Sequence, residues 1–132
     1  MVDSFSQFRS PLRHAKGMGS AKEGTHHWLA QRITALALLP LTFWLVFSLA
    51  TLSLEGHLEF VTWLGRPISG TLMILFLSVA FHHGQLGIQV VIEDYISNIK
   101  IRRSLLIVTK FMSYLLATLG VVSVLRIIFE SL

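Results

Sequence analysis

The sequence predicts an all-α integral membrane protein with three transmembrane helices, its N-terminus cytoplasmic and its C-terminus on the opposite side. Three observations carry that prediction. Hydrophobic residues make up 53% of the 132 residues and charged residues only 14%, where a water-soluble domain carries roughly 25% charged residues. The apolar residues gather in three runs, each long enough to cross a bilayer. The basic residues crowd before the first run and between the second and third, which is how a chain fixes its orientation.

The elements follow in order. Residues 1–26 form an N-terminal segment with Arg9, Arg13, Lys16 and Lys22 but no apolar core, so they do not read as a cleavable secretory signal. The first span covers about residues 28–54, and its stretch from Ile33 to Leu54 holds no charge. Those residues extend roughly 33 Å as a helix, enough for the hydrocarbon core. Pro40 favours a kink there, which membrane helices tolerate when neighbours satisfy the freed carbonyl. The connection "EGHLEFVTWLGR" (55–66) leads to the second span, about 67–93, with Pro67 suited to the first helical turn. The connection "DYISNIKIRR" (94–103) leads to the third, about 104–129, whose Lys110 and Arg126 lie close enough to its ends to snorkel. No internal repeat appears, and the length fits a single unit over residues 1–132.

Orientation rests on Arg9, Arg13, Lys16, Lys22 and Arg32 before the first span and Lys100, Arg102 and Arg103 after the second. The first connection has only Arg66 beside Glu55 and Glu59. The N-terminus and the second connection therefore face the cytoplasm, or a mitochondrial matrix. The net charge of +4 and pI near 10.0 do not indicate nucleic acid, because the cations sit at the ends of apolar runs. The absence of cysteine excludes disulfides, thiolate metal sites and iron–sulfur ligation by this chain. Three helices with small and polar residues on several faces make a poor free-standing bundle, which calls for a partner subunit.

The second span carries the chemistry. His83, Gly87 and Asp94 project within about 40° of one another on a helix, with His83 roughly 16 Å deeper than Asp94. An imidazole at that depth, with a glycine clearing space one turn away, suits axial ligation of a haem. It equally suits a hydrogen bond to a neighbouring helix, with Gly87 as a small packing residue. His82 points about 100° away and reads as a hydrogen-bonding or packing residue. At the cytoplasmic edge stand His26, His27 and Arg32, in "GTHHWLAQR" (24–32), and at the same edge Asp94 and Tyr95. Arg32 enters the apolar stretch, a cost that a nearby anion such as a haem propionate would offset. The bland counterpart is a positive-inside anchor beside an interfacial Trp28, and His27 reads as interfacial. Glu93 and Asp94 at a helix C-terminus oppose the macrodipole, which asks for Arg102 or Arg103 as a partner, or for a chemical task. A tyrosine at that boundary can donate to a quinone carbonyl, with a carboxylate holding it or relaying protons.

Together these residues resemble the hydrophobic membrane anchor family of succinate dehydrogenase (succinate:quinone oxidoreductase, complex II), in the form of the smaller of its two anchors. The second span reproduces the family's spacing of His83, Gly87, Asp94 and Tyr95, and Arg32 preceded by His26 matches the first. "GSAKEGTHHWLAQR" (19–32) looks like the alphaproteobacterial or mitochondrial type. The resemblance covers nearly the whole chain. It implies a four-subunit complex: a flavoprotein that oxidises succinate, an iron–sulfur subunit, and two membrane anchors sharing a b-type haem and a ubiquinone site. It implies His83 as an axial haem ligand, with the second ligand from the other anchor, and Arg32 and His26 at the haem propionates. It further implies Tyr95 and Asp94 at the quinone, no catalytic residue for succinate oxidation in this chain, and a multi-pass protein of the bacterial cytoplasmic membrane rather than the mitochondrial inner membrane. The competing class is a non-redox structural or assembly subunit, or a small transporter component. The transporter form is weak, because beyond His82 and His83 the span interiors offer only scattered Ser and Thr.

Overall fold

The computed structural model describes residues 21–52 and 56–130, all helical apart from short connections. Arg9, Arg13 and Lys16, the side chain of Lys22 and the predicted end of the first span at 53–54 lie outside the described residues. Among the described residues four helices follow one another: α1 (Ala21–Leu52), α2 (His57–Gly65), α3 (Pro67–Tyr95) and α4 (Ile99–Glu130). Three are long and apolar enough to cross a membrane, over Gly24–Leu52, Pro67–Tyr95 and Ile99–Glu130. At 29, 29 and 32 residues they measure roughly 44–48 Å, beyond the hydrocarbon and into the headgroup layers.

The helices start and stop for local reasons. α1 runs through Pro40 as one helix. It begins ahead of the predicted span at 28, because the backbone ladder continues where hydropathy has already fallen. α3 opens with Pro67 in its first turn, where the missing N–H costs nothing. It extends through Tyr95, so the acids and the tyrosine belong to its last turn. α4 starts at Ile99, five residues before the predicted span. Asn98 caps it, its Oδ1 accepting the Lys100 N–H at 3.0 Å and the Ile101 N–H at 3.4 Å. The cations Lys100, Arg102 and Arg103 therefore ride on the helix rather than in the loop.

Where the sequence predicts only a connection, the chain forms the nine-residue helix α2. Gly56 precedes it at φ +93°, a backbone angle that glycine adopts without steric cost. Its Phe60, Trp63 and Leu64 share one face, and Leu64 is nearly inaccessible at 2% exposure. Trp63 stacks on Trp44 of α1 with ring centroids 5.6 Å apart. α2 also packs against α3 and α4.

α3 is the central member, packed against α1, α2 and α4. Its partners meet it antiparallel. Thr34, early in α1, reaches His83, late in α3, and mid-helix Ser113 of α4 donates to the Phe81 carbonyl at 2.8 Å. The enclosed core is thin: among the described residues Leu41, Leu64, Leu86, Ile92 and Val124 are its buried hydrophobics. Large apolar side chains such as Phe43, Phe47, Phe111 and Phe129 stand outward. In water that surface would aggregate; in a bilayer, or under partner helices, it is solvated or covered.

Candidate functional site

His83 sits in the second half of α3, half-buried against α1. Its Nδ1 lies 2.9 Å from the Thr34 hydroxyl. The imidazole also lines an apolar groove of about 350 Å³ whose other walls, Ala35, Leu38, Leu39, Thr42, Phe43 and Val46, all come from α1. Gly87 lies one turn further along the same face of α3, and a Cβ added there would meet nothing within 4 Å.

Arg32 belongs to that groove's face of α1. Trp28, Arg32, Ala35, Leu39 and Val46 recur at intervals of four, three, four and seven residues, which puts them on one helical stripe. The guanidinium is exposed and lies over the Trp28 ring, 5.1 Å from its centroid. A cation–π contact of this kind contributes about 0.5–1 kcal/mol at an exposed site. His26 is exposed and projects about 120° away from Arg32 around α1, so the fold does not bring it onto the groove's stripe. His27 does fall near the His83 side: it stands seven residues before Thr34, and its buried Nε2 has no hydrogen-bond partner among the described residues. Sequence reasoning singles out neither Thr34 nor this placement of His27. The heptad spacing between them is visible, but which face of α1 meets α3 is not.

The end of α3 is open. Tyr95 is 81% exposed, and Asp94 is exposed beside it. Among the described residues neither side chain makes a hydrogen bond or ion pair. The anticipated salt bridge from Arg102 or Arg103 to the acids is not formed, although Glu93, Arg102 and Arg103 line one wide recess of about 430 Å³. Glu93 instead accepts a hydrogen bond from Gln89 Nε2 at 2.9 Å, and Gln89 Oε1 accepts one from Gln85 Nε2 at 3.2 Å. This polar ladder runs from a buried Gln85 to the helix end. His82 lies on the other side of α3, in a narrow cleft with Gln85, Ser113 and Tyr114. It shares no wall with His83, as their angular separation requires. Among the described residues there is no cluster of His and acidic side chains able to hold a free metal ion.

Similarity to known proteins covers most of the chain. Residues 6–119 match the succinate dehydrogenase/fumarate reductase transmembrane subunit family. The chain is 42% identical over 119 residues to the succinate dehydrogenase hydrophobic membrane anchor subunit of Rickettsia bellii (strain RML369-C), covering 89% of this chain and 94% of that one. It is 30% identical over 118 residues to the protein of the same name from Rickettsia typhi (strain ATCC VR-144 / Wilmington), with the same coverages of 89% and 94%. The counterpart from Paracoccus denitrificans is 32% identical over 89 residues, 67% of this chain and 69% of its own. No solved structure gives a significant match. A three-span helical chain whose sequence aligns over most of its length with such subunits belongs to the succinate dehydrogenase/fumarate reductase transmembrane subunit family.

Proposed function

We propose that this chain, as a membrane anchor subunit of succinate dehydrogenase, holds one side of a b-type haem through His83 and helps to form a ubiquinone site with Tyr95 and Asp94. The observation that carries the reading is the His83 imidazole on the wall of an apolar groove that opens on the outer face of α1 and α3. The residues fit such a group. An apolar wall on α1 suits a macrocycle, Gly87 leaves room on the same face of α3, and Arg32 on the groove's stripe supplies planar donors for a propionate. His26, about 120° away around α1, stands off the groove's stripe, so the resemblance's propionate role rests here on Arg32. The haem, when bound, supplies one-electron redox chemistry.

The chain's own residues have narrower tasks. His83 offers a ring nitrogen on that apolar wall. Tyr95, exposed at the end of α3, is free to donate to a quinone carbonyl arriving from the lipid. Asp94 beside it accepts from that phenol or passes a proton from the aqueous side. Succinate oxidation belongs to the flavoprotein, electron delivery to the iron–sulfur subunit, and the second axial ligand to the other anchor. The many outward apolar side chains of α1 and α4 give that second anchor a surface to pack on. Lys100, Arg102 and Arg103 beside the α3–α4 connection support a cytoplasmic position for that end of the helices.

A reduced-minus-oxidised absorption spectrum of the purified complex, wild type beside His83→Leu, tests the haem reading. A b-type band is expected in the first and is lost or strongly altered in the second. An unchanged band in the variant, or none in the wild type, would leave the chain a structural anchor. For the quinone site, Tyr95→Phe is expected to lower quinone reduction about 10- to 100-fold, the range of one lost hydrogen bond of about 1.5–3 kcal/mol. Succinate oxidation with an artificial acceptor should stay at the wild-type rate. Equal loss in both assays would place the tyrosine in assembly rather than at the quinone.

A further inference from the structure

We propose that Thr34 is a positioning residue for His83, fixing the ring so that its Nε2 is the nitrogen left to ligate iron. The inference rests on the reading of His83 as a haem ligand and deepens it. The Thr34 hydroxyl has three neighbours: the Ala30 carbonyl oxygen at 2.8 Å, the Gln31 carbonyl oxygen at 3.1 Å and His83 Nδ1 at 2.9 Å. A hydroxyl has one proton and two lone pairs. Carbonyl oxygens can only accept, and with its proton donated to either of them the Thr34 hydroxyl turns a lone pair toward His83. The contact is then Nδ1–H donating to Oγ1, and the other ring nitrogen, Nε2, keeps its lone pair. A neutral imidazole that binds a metal through Nε2 carries its proton on Nδ1, so ligation and the Thr34 contact demand the same tautomer.

Metal-bound histidines nearly always hand their second N–H to an acceptor, and this acceptor sets both ring orientation and ligand basicity. In α1 that task falls to a threonine in an otherwise aliphatic stretch. The relay N–H to hydroxyl to helix carbonyl gives the hydroxyl a stronger acceptor character than it has alone. The hydroxyl also joins α1 to α3, across 49 positions of sequence. The contact therefore ties the groove wall to the imidazole within the packed α1–α3 interface.

The test compares Thr34→Val, Thr34→Ser and His83→Leu in the complete complex, reading haem content, the low-spin electron paramagnetic resonance signal and the haem midpoint potential. Valine keeps the shape and removes the acceptor; serine keeps the acceptor. With the acceptor gone the imidazole donates less charge, the ferrous state gains, and the potential should rise. The expected change is two- to tenfold in the reduction equilibrium, tenfold being 59 mV for one electron. Haem loss in Thr34→Val with retention in Thr34→Ser would support the proposal equally. Wild-type potential and resonance signal in Thr34→Val would overturn it, as would equal shifts in the valine and serine variants. The ligand reading fails separately, if His83→Leu keeps an unaltered haem.

Discussion

The two halves of α3 use glycine in opposite ways. In the half from Pro67 to Val79, a Cβ on Gly70 would stand 2.5 Å from Ile128 Cδ1 and 3.1 Å from the Leu64 carbonyl oxygen. Across the seam, a Cβ on Gly120 of α4 would lie 3.2 Å from Leu77 Cδ1. In the half from Ala80 to Tyr95, Gly84 and Gly87 face open space. The helix's histidines, glutamines and acids all fall in that second half. One half is therefore a scaffold, clasped by α2 and α4, where absent side chains let backbones approach. The other carries the polar side chains, and there the absent side chains leave open space beside the helix.

Alanine at Gly70 and at Gly87 puts that contrast to the sharpest test. At Gly70 the Ile128 side chain can turn aside, but the Leu64 carbonyl belongs to the backbone of α2 and cannot. Overpacking of this kind costs about 1–3 kcal/mol, so thermal unfolding of the detergent-purified complex should move to lower temperature. Gly87→Ala meets no neighbour and gains up to about 1 kcal/mol of helix propensity. Its unfolding temperature should hold or rise, and if a haem lies against that face of α3, as proposed, its spectrum should shift. A silent Gly70→Ala beside a destabilising Gly87→Ala would reverse the assignment of scaffold and open half.

The three spans were legible because a charge-free run of twenty or more residues, in a chain this apolar, fits a bilayer and little else. Their ends were not, since hydropathy reports the hydrocarbon boundary while the helix ends where its hydrogen bonds do. Asn98 decides the start of α4 through two backbone N–H groups, a signal that a charge-based boundary at residue 104 overlooks. α2 escaped because nine residues are too few to stand out by hydropathy, although the spacing of Phe60, Trp63 and Leu64 was there to be read. His83 and Gly87 were legible as a pair because both lie on one helix, where angular separation follows from number alone. Thr34 was not, because its meaning depends on which face of α1 turns toward α3. His26 and Arg32 show the same limit from the other side. Adjacent in motif, they diverge by about 120° once wound into α1.

The smallest effect is expected at Ser113, on the boundary between the halves. Its hydroxyl donates to the Phe81 carbonyl at 2.8 Å, an oxygen that also receives the N–H of residue 85 in the α3 ladder. Ser113→Ala therefore strands no polar group, and hydrogen bonds between membrane helices average only about 0.6 kcal/mol. A loss of that size should lower the unfolding temperature slightly and leave the haem potential where it was. Thr34→Val removes a hydroxyl of the same kind from the other side of α3, but it strands the His83 N–H, whose acceptor it was. The two variants thus match in what they delete and differ in what they leave behind. If Ser113→Ala moved the haem potential as far as Thr34→Val, the hydroxyl on the α1 side would have no special claim on His83. The contrast between scaffold and open half would then have to be drawn by depth in the membrane instead of by contact.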